Sequence, residues 1–262
     1  MARPQVGLCL SAGGAKGLAH IGVLLVLEEE GIPIDLITGT SMGAVIGVLY
    51  GCGLRPRLIQ RLVGSLRRKH WLDVTFPRMG LIAGERFLEL MKMLSRGRDF
   101  ADLRLPVAVV ATDLERGEEV VLKSGPVAEA VRASSSIPGV FAPIRLDGRL
   151  LVDGAVLNRL PIKLAKEMGA EIVIASDVGW EVGERKITNI FDVIMQSFDI
   201  AQKELTQYII PTADVLIAPE LSHIPMLAME QSAQCIHAGI EATRKAIPAI
   251  KERLVECGVA GL

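Results

Sequence analysis

No charge of either sign predominates in the sequence: 29 basic and 30 acidic residues leave a formal net charge of −1. A whole-molecule field that would gather nucleic acid or another polyanion is therefore excluded, and any charge-driven contact has to be local. Cysteine is scarce. Cys9, Cys52, Cys235 and Cys257 lie among apolar or small residues without CxxC spacing, which reads as reduced, mostly buried thiols rather than a disulfide framework or zinc ligands. The opening MARPQVGLCLSAGG lacks an apolar stretch ending in a cleavage site, so the chain is expected in the cytoplasm, at most peripheral to the inner face of a membrane. Repeats, low-complexity tracts and obvious linkers are missing too, which leaves a single domain over 1–262 as the expectation. Half of the residues are apolar, enough for a sizeable core, and disorder is excluded.

One uncharged stretch, residues 36–54, runs for 19 positions and spaces Gly39, Gly43, Gly47 and Gly51 four apart, as in paired membrane helices. Thr38, Thr40 and Ser41 near its start, and the glycines themselves, make it too weakly apolar, so a soluble strand, turn and helix is the better reading. Strand-like runs recur at 6–12, 34–40, 105–113, 118–124, 149–155, 170–178 and 213–219, several of them continuous Val/Ile/Leu blocks of the kind buried on both faces. Helical patterns lie at about 17–30, 42–53, 55–69, 84–95, 126–134, 161–168, 188–208 and 228–256, with Gly31, Gly53 and Gly169 marking C-termini. This alternation predicts an α/β fold, a three-layer α/β/α sandwich around a mainly parallel central sheet.

Glycine-rich loops follow the first two strands. In SAGGAKGLAHIG, residues 11–22, Ala12 stands where a dinucleotide fingerprint needs glycine, and Ser41 rather than an acid ends the second strand. A P-loop fails because Lys16 is not followed by Ser or Thr at the required spacing. The second loop, Gly39-Thr40-Ser41-Met42-Gly43, is GxSxG between a strand and a helix, the pattern of a nucleophile elbow. Gly13, Gly14 and Ala15 of the first loop would then supply amides to the oxyanion formed when Ser41 attacks an ester. A serine needs a base. His223 or His237 fits the chain order of a Ser-Asp-His triad, His20 sits beside the glycine loop, and Asp153, in RLLVDGAVLNRLP, is a carboxylate at a strand end among small residues.

Four stretches, SAGGAKGLAHIGVL, GTSMGA, VRASSSIPGVFAPI and DGAVLNRLP, together with a softer fifth, ATDLERGEEVV, resemble the bacterial patatin-like phospholipases related to the neuropathy-target-esterase branch. The resemblance implies a patatin-like fold and a Ser-Asp dyad, with Ser41 as nucleophile and Asp153 as base. It also implies an oxyanion hole at Gly13, Gly14 and Ala15, with Lys16, Gly17, Gly39, Gly43 and Gly154 supporting the motifs. Ala12 departs from the family's usual triple glycine. No metal or organic cofactor is implied, and the expected substrates are phospholipids, lysophospholipids or other acyl esters. Asn158 is a candidate brace for the turn after Asp153, while Ser134, Ser135 and Ser136 read as small residues on a turn before Ile137-Pro138.

A helical insertion is expected at about 55–100. On a helix over 55–69, Leu58, Ile59, Leu62, Val63 and Leu66 share one face, and Arg55, Arg57, Arg61, Arg67, Arg68 and Lys69 add positive charge without an acid. Such a helix could lie on an anionic bilayer over about 55–82, with Trp71 and Phe76 at headgroup level, or pack on the core with a solvated basic face. Met79, Leu81 and Ile82 are candidates for an acyl tunnel. Beside a serine lipid acyl hydrolase, two other readings stand: a Ser/His thioesterase or acyltransferase, and a lipid-binding regulatory or scaffold protein with little turnover.

Overall fold

A computed structural model describes residues 3–74, 79–179, 187–188 and 190–259. Strands β1 (Val6–Leu10), β2 (Leu36–Thr40), β4 (Val107–Asp113), β9 (Ile172–Ser176) and β10 (Val215–Ile217) lie parallel in the order β10-β9-β1-β2-β4. Beyond β4 the pairing turns antiparallel, with β5 (Glu118–Leu122) and β8 (Arg149–Asp153) on β4 and β7 (Ile144–Leu146) on β8. The architecture is thus the expected α/β one, with a mixed sheet whose longest run is parallel.

Side chains alternate between the two faces of the sheet. Leu8 and Leu10 of β1 enter the large core with α1 (Ala19–Glu29), α2 (Met42–Gly51) and α8 (Ser232–Glu256), while Cys9 points to the other face with Leu160 and with Ile162, the first residue of α6 (Ile162–Glu167). Leu8, Leu10 and Ile37 are fully buried, each contributing roughly 1.5–3 kcal/mol of transfer free energy. Gly31, Gly53 and Gly169 all adopt positive φ at or just past helix ends, as their positions in the sequence suggested. Among the described residues no helix is long and apolar enough to cross a membrane; the uncharged stretch at 36–54 divides into β2 and the ten-residue α2.

Three strands were not legible in the sequence: β3 (Gly80–Ile82), β6 (Gly139–Phe141) and β7. At three residues each they are too short to show alternation, and β3 and β6 exist because they pair with each other as a separate two-stranded sheet. Between α2 and β4 the chain builds α3 (Pro56–Ser65) and α4 (Glu85–Ser95). Helix α3 stops four residues before the expected 69, at Gly64-Ser65, where glycine weakens the helix and Ser65 Oγ donates back to the Leu62 carbonyl at 2.7 Å. The remaining helices are α5 (Val127–Ser134) and α7 (Ile190–Ile209).

Candidate active site

The register of β4 determines which side chains meet. On one edge Val109 and Val110 pair with Gly39 and Thr40 of β2; on the other they pair with Leu122 and Val121 of β5. One step further on, Ala111 still has Val120 of β5 on that second edge, but the first edge now carries Asp153 of β8. β8 therefore occupies the edge that β2 has just left. The residue following Thr40 is Ser41 and the last residue of β8 is Asp153, so the two converge beside Ala111.

Ser41 has φ 54° and ψ −121°, a left-handed backbone that a non-glycine residue adopts at a cost of about 1–3 kcal/mol. A side chain at Gly43 would run into the Leu10 carbonyl, so only glycine lets α2 start this close to the end of β1. The Ser41 hydroxyl lies close enough to the Asp153 carboxyl to lower its pKa, and the carboxyl accepts the Ala155 amide at 2.9 Å. Burial pushes the Asp153 carboxyl up to about 7, against the pull of those two donors, so near neutrality it is poised between taking and giving a proton.

Sequence reasoning missed what holds this pair. The Ser41 amide donates to Ser134 Oγ at 2.8 Å, and the Asp153 amide donates to the Ser136 carbonyl at 2.9 Å. Ser136 is pinned in turn: its Oγ donates to the Arg132 carbonyl at 2.9 Å and accepts from Arg132 Nη1 at 2.6 Å. The buried Arg132 guanidinium spends its other donors on the carbonyls of Ala83, Gly84 and Ala142. The signal in the sequence was the run of three hydroxyls before Ile-Pro, a composition that offers local partners to backbone amides.

Opposite lies the glycine loop. Gly13 and Gly14 border a small cavity together with Ser41, Asp153, Ala155 and Phe198. The expectation for Ala15 needs correction: its amide donates to the Met226 carbonyl at 2.7 Å and is committed to holding the 226 loop. The Ala12 amide is likewise taken, by the Arg159 carbonyl at 3.0 Å, and Arg159 itself forms a buried ion pair with Asp177 at 2.7 Å. Gly14, at φ 54°, fits where the Met226 backbone leaves no room for a side chain.

A second, larger cavity runs from Ser41 between α2, α3 and α4, enclosing about 930 Å³ up to and including its open mouth. Val45, Leu49, Leu62, Val63, Phe87 and Met91 line it, and among the described residues its only side-chain hydroxyls are those of Ser41 and Ser135. Nucleophile elbow, buried carboxylate, glycine loop and apolar cavity thus occur in one place.

Residues 8–166 match the patatin-like phospholipase family. The chain belongs to that family. It is 38% identical over 188 residues to an uncharacterized NTE family protein of Mycobacterium tuberculosis, covering 69% of this chain and 51% of that one. It is also 38% identical over 187 residues to human patatin-like phospholipase domain-containing protein 6, covering 66% of this chain and 13% of that one. The chain thus spans about half the length of the first and a far smaller part of the second. The fold is similar to that of VipD from Legionella pneumophila, with a TM-score of 0.68 at 14% identity over 96% of this chain and 67% of that one.

In this patatin-like chain none of the four histidines lines either cavity beside Ser41. His223 and His237 are exposed, and His70 accepts the Arg67 amide at 3.1 Å. His20 is fully buried, 2.9 Å from both the Ser11 carbonyl and Ser176 Oγ, and burial pushes its pKa down to about 4. It is therefore a neutral ring, with Nε2 donating to the carbonyl and Nδ1 accepting from the hydroxyl, that ties β1 to β9.

Of the supporting residues, Lys16 is buried, Gly17 packs on Met42, Gly39 on the Gly43 backbone and Gly154 on the Val110 carbonyl. The Asn158 backbone carbonyl accepts the Thr40 hydroxyl at 2.9 Å, and the Asn158 side-chain Nδ2 donates to Glu119 at 3.0 Å, which braces the turn after Asp153. On the apolar face of α3, Ile59 is fully buried, and Leu62, Val63 and Leu66 form part of the cavity wall. Trp71 lines the same cavity; Phe76 lies outside the described residues. Met79 and Leu81 are exposed, and Ile82 packs with Val140 and Phe141, so these three do not line the tunnel.

Proposed function

We propose that this chain is a serine lipid acyl hydrolase of the carboxylic ester hydrolase class, with a Ser41-Asp153 dyad and an oxyanion hole at Gly13 and Gly14. The single observation that carries the reading is the Ser41 side chain set beside the buried Asp153 carboxylate, at the end of an apolar cavity. Asp153 accepts the hydroxyl proton as Ser41 Oγ attacks the carbonyl carbon. The carbonyl π electrons move to oxygen, facing the glycine loop. Collapse expels the leaving oxygen, which takes the proton from Asp153, and water activated by the same carboxylate then releases the acid. The cavity accepts the acyl chain, each buried methylene contributing about 0.8 kcal/mol. Phospholipids, lysophospholipids and other long-chain esters are the matching substrate class.

A fluorophosphonate probe tests this directly, because its phosphorus reports an activated hydroxyl irrespective of the natural substrate. One adduct on Ser41, absent from Ser41→Ala, is expected. Folded wild type that takes up no probe would support instead the lipid-binding reading with little turnover.

A further inference from the structure

Ser135 lies on the wall of the larger cavity with Ser41 and Gly14, and the residue is nine-tenths buried, at 9% exposure. Both neighbouring hydroxyls are committed: Ser134 Oγ accepts the Ser41 amide and Ser136 Oγ exchanges bonds with Arg132. Ser135 Oγ, by contrast, is buried with no hydrogen-bond partner among the described residues. Buried polar groups in folded proteins are nearly always paired, and one left over at the wall of a binding cavity points to a partner that arrives with the ligand.

The two cavities divide a bound ester. The leaving oxygen must reach Asp153, which borders the smaller cavity; Ser135 borders only the larger one, on the acyl side. A simple acyl chain has a single polar atom within reach of a residue beside Ser41, its carbonyl oxygen. We propose that Ser135 donates a hydrogen bond to the carbonyl oxygen of the substrate's acyl group and strengthens it as that oxygen becomes an oxyanion. The hydroxyl keeps its proton throughout, and no covalent bond forms or breaks at it. Its donor takes the place of the Ala15 amide, which the Met226 carbonyl already holds. This inference rests on the serine-hydrolase reading above.

The test uses the full chain and two short esters of one acid, a p-nitrophenyl ester and an alkyl ester. Ser135→Ala is expected to lower kcat by about 10²-fold on both, the effect of losing one oxyanion donor, with KM little changed. Its Tm should be unchanged or higher, because no protein partner is lost. Ser135→Gly provides a second hydroxyl deletion read in the same two ways. Turnover within threefold of wild type overturns the proposal. So does a loss confined to the alkyl ester, which would place the hydroxyl on the leaving oxygen, or a lowered Tm, which would make the hydroxyl part of the fold. Ser41→Ala is run in parallel: full turnover there refutes the serine-hydrolase reading itself.

Discussion

Asp153→Asn separates catalysis from stability, because the same burial that tunes the carboxyl also destabilises its charged form. The folded chain holds this proton to about pH 7, against an ordinary value of 3.8. Folded protein therefore binds the proton more tightly than unfolded chain. Stability falls as pH rises from about 4 to about 7, and the full cost is present above that. A shift of roughly three pK units at about 1.36 kcal/mol each amounts to about 4 kcal/mol. Asparagine keeps the shape and its carbonyl oxygen can still accept the Ala155 amide, but it carries no charge to bury and accepts no proton. At pH 8 the variant should be more stable than wild type by up to about 4 kcal/mol, read from denaturant unfolding, with the difference vanishing near pH 4. Ester turnover should fall by about 10² to 10⁴, the usual contribution of a general base. Wild-type kcat/KM should decline tenfold per pH unit below about 7. The reasoning fails if Asp153→Asn keeps turnover within threefold of wild type while His223→Ala or His237→Ala is inactive. It also fails if the variant is less stable than wild type at pH 8.

Two further outcomes follow from the same geometry. Ser134→Ala leaves the buried Ser41 amide without its acceptor, so thermal or chemical unfolding should show a loss of about 1–3 kcal/mol, and kcat should fall more than KM rises because the elbow loses its brace. Val45→Phe places a ring in the larger cavity one turn beyond Ser41; a chain-length series should show long-chain esters losing roughly fourfold in kcat/KM per excluded methylene, at about 0.8 kcal/mol each, with acetate esters unaffected. Equal losses at every chain length would mean that the cavity does not hold the acyl chain.

The alternation of strands and helices, the glycines at helix ends and the elbow around Ser41 were all legible in the sequence, because each is a local signal: a period of 2 or 3.6, a positive φ, a small residue at a tight approach. Asp153 was legible as a candidate for a similar reason, as an acid at a strand end followed by glycine and alanine. The choice between Asp153 and a histidine, on the residues alone, was not. Tertiary structure places the acid beside Ser41 by pairing β8 antiparallel on the edge of β4 that β2 vacates, so that β4 brings together β2 and β8, which lie more than a hundred residues apart in the sequence. The same holds for α3. Its amphipathic face is visible in one turn of helix after another, yet whether Leu62 and Val63 meet a bilayer or enclose a cavity depends on where α4 and α2 lie. Ser134, Ser135 and Ser136 make the point most sharply. Three identical neighbours become a brace for the elbow, an unpaired hydroxyl in the cavity and an anchor for Arg132, because each turns its hydroxyl toward a different part of the fold and no local pattern encodes those directions.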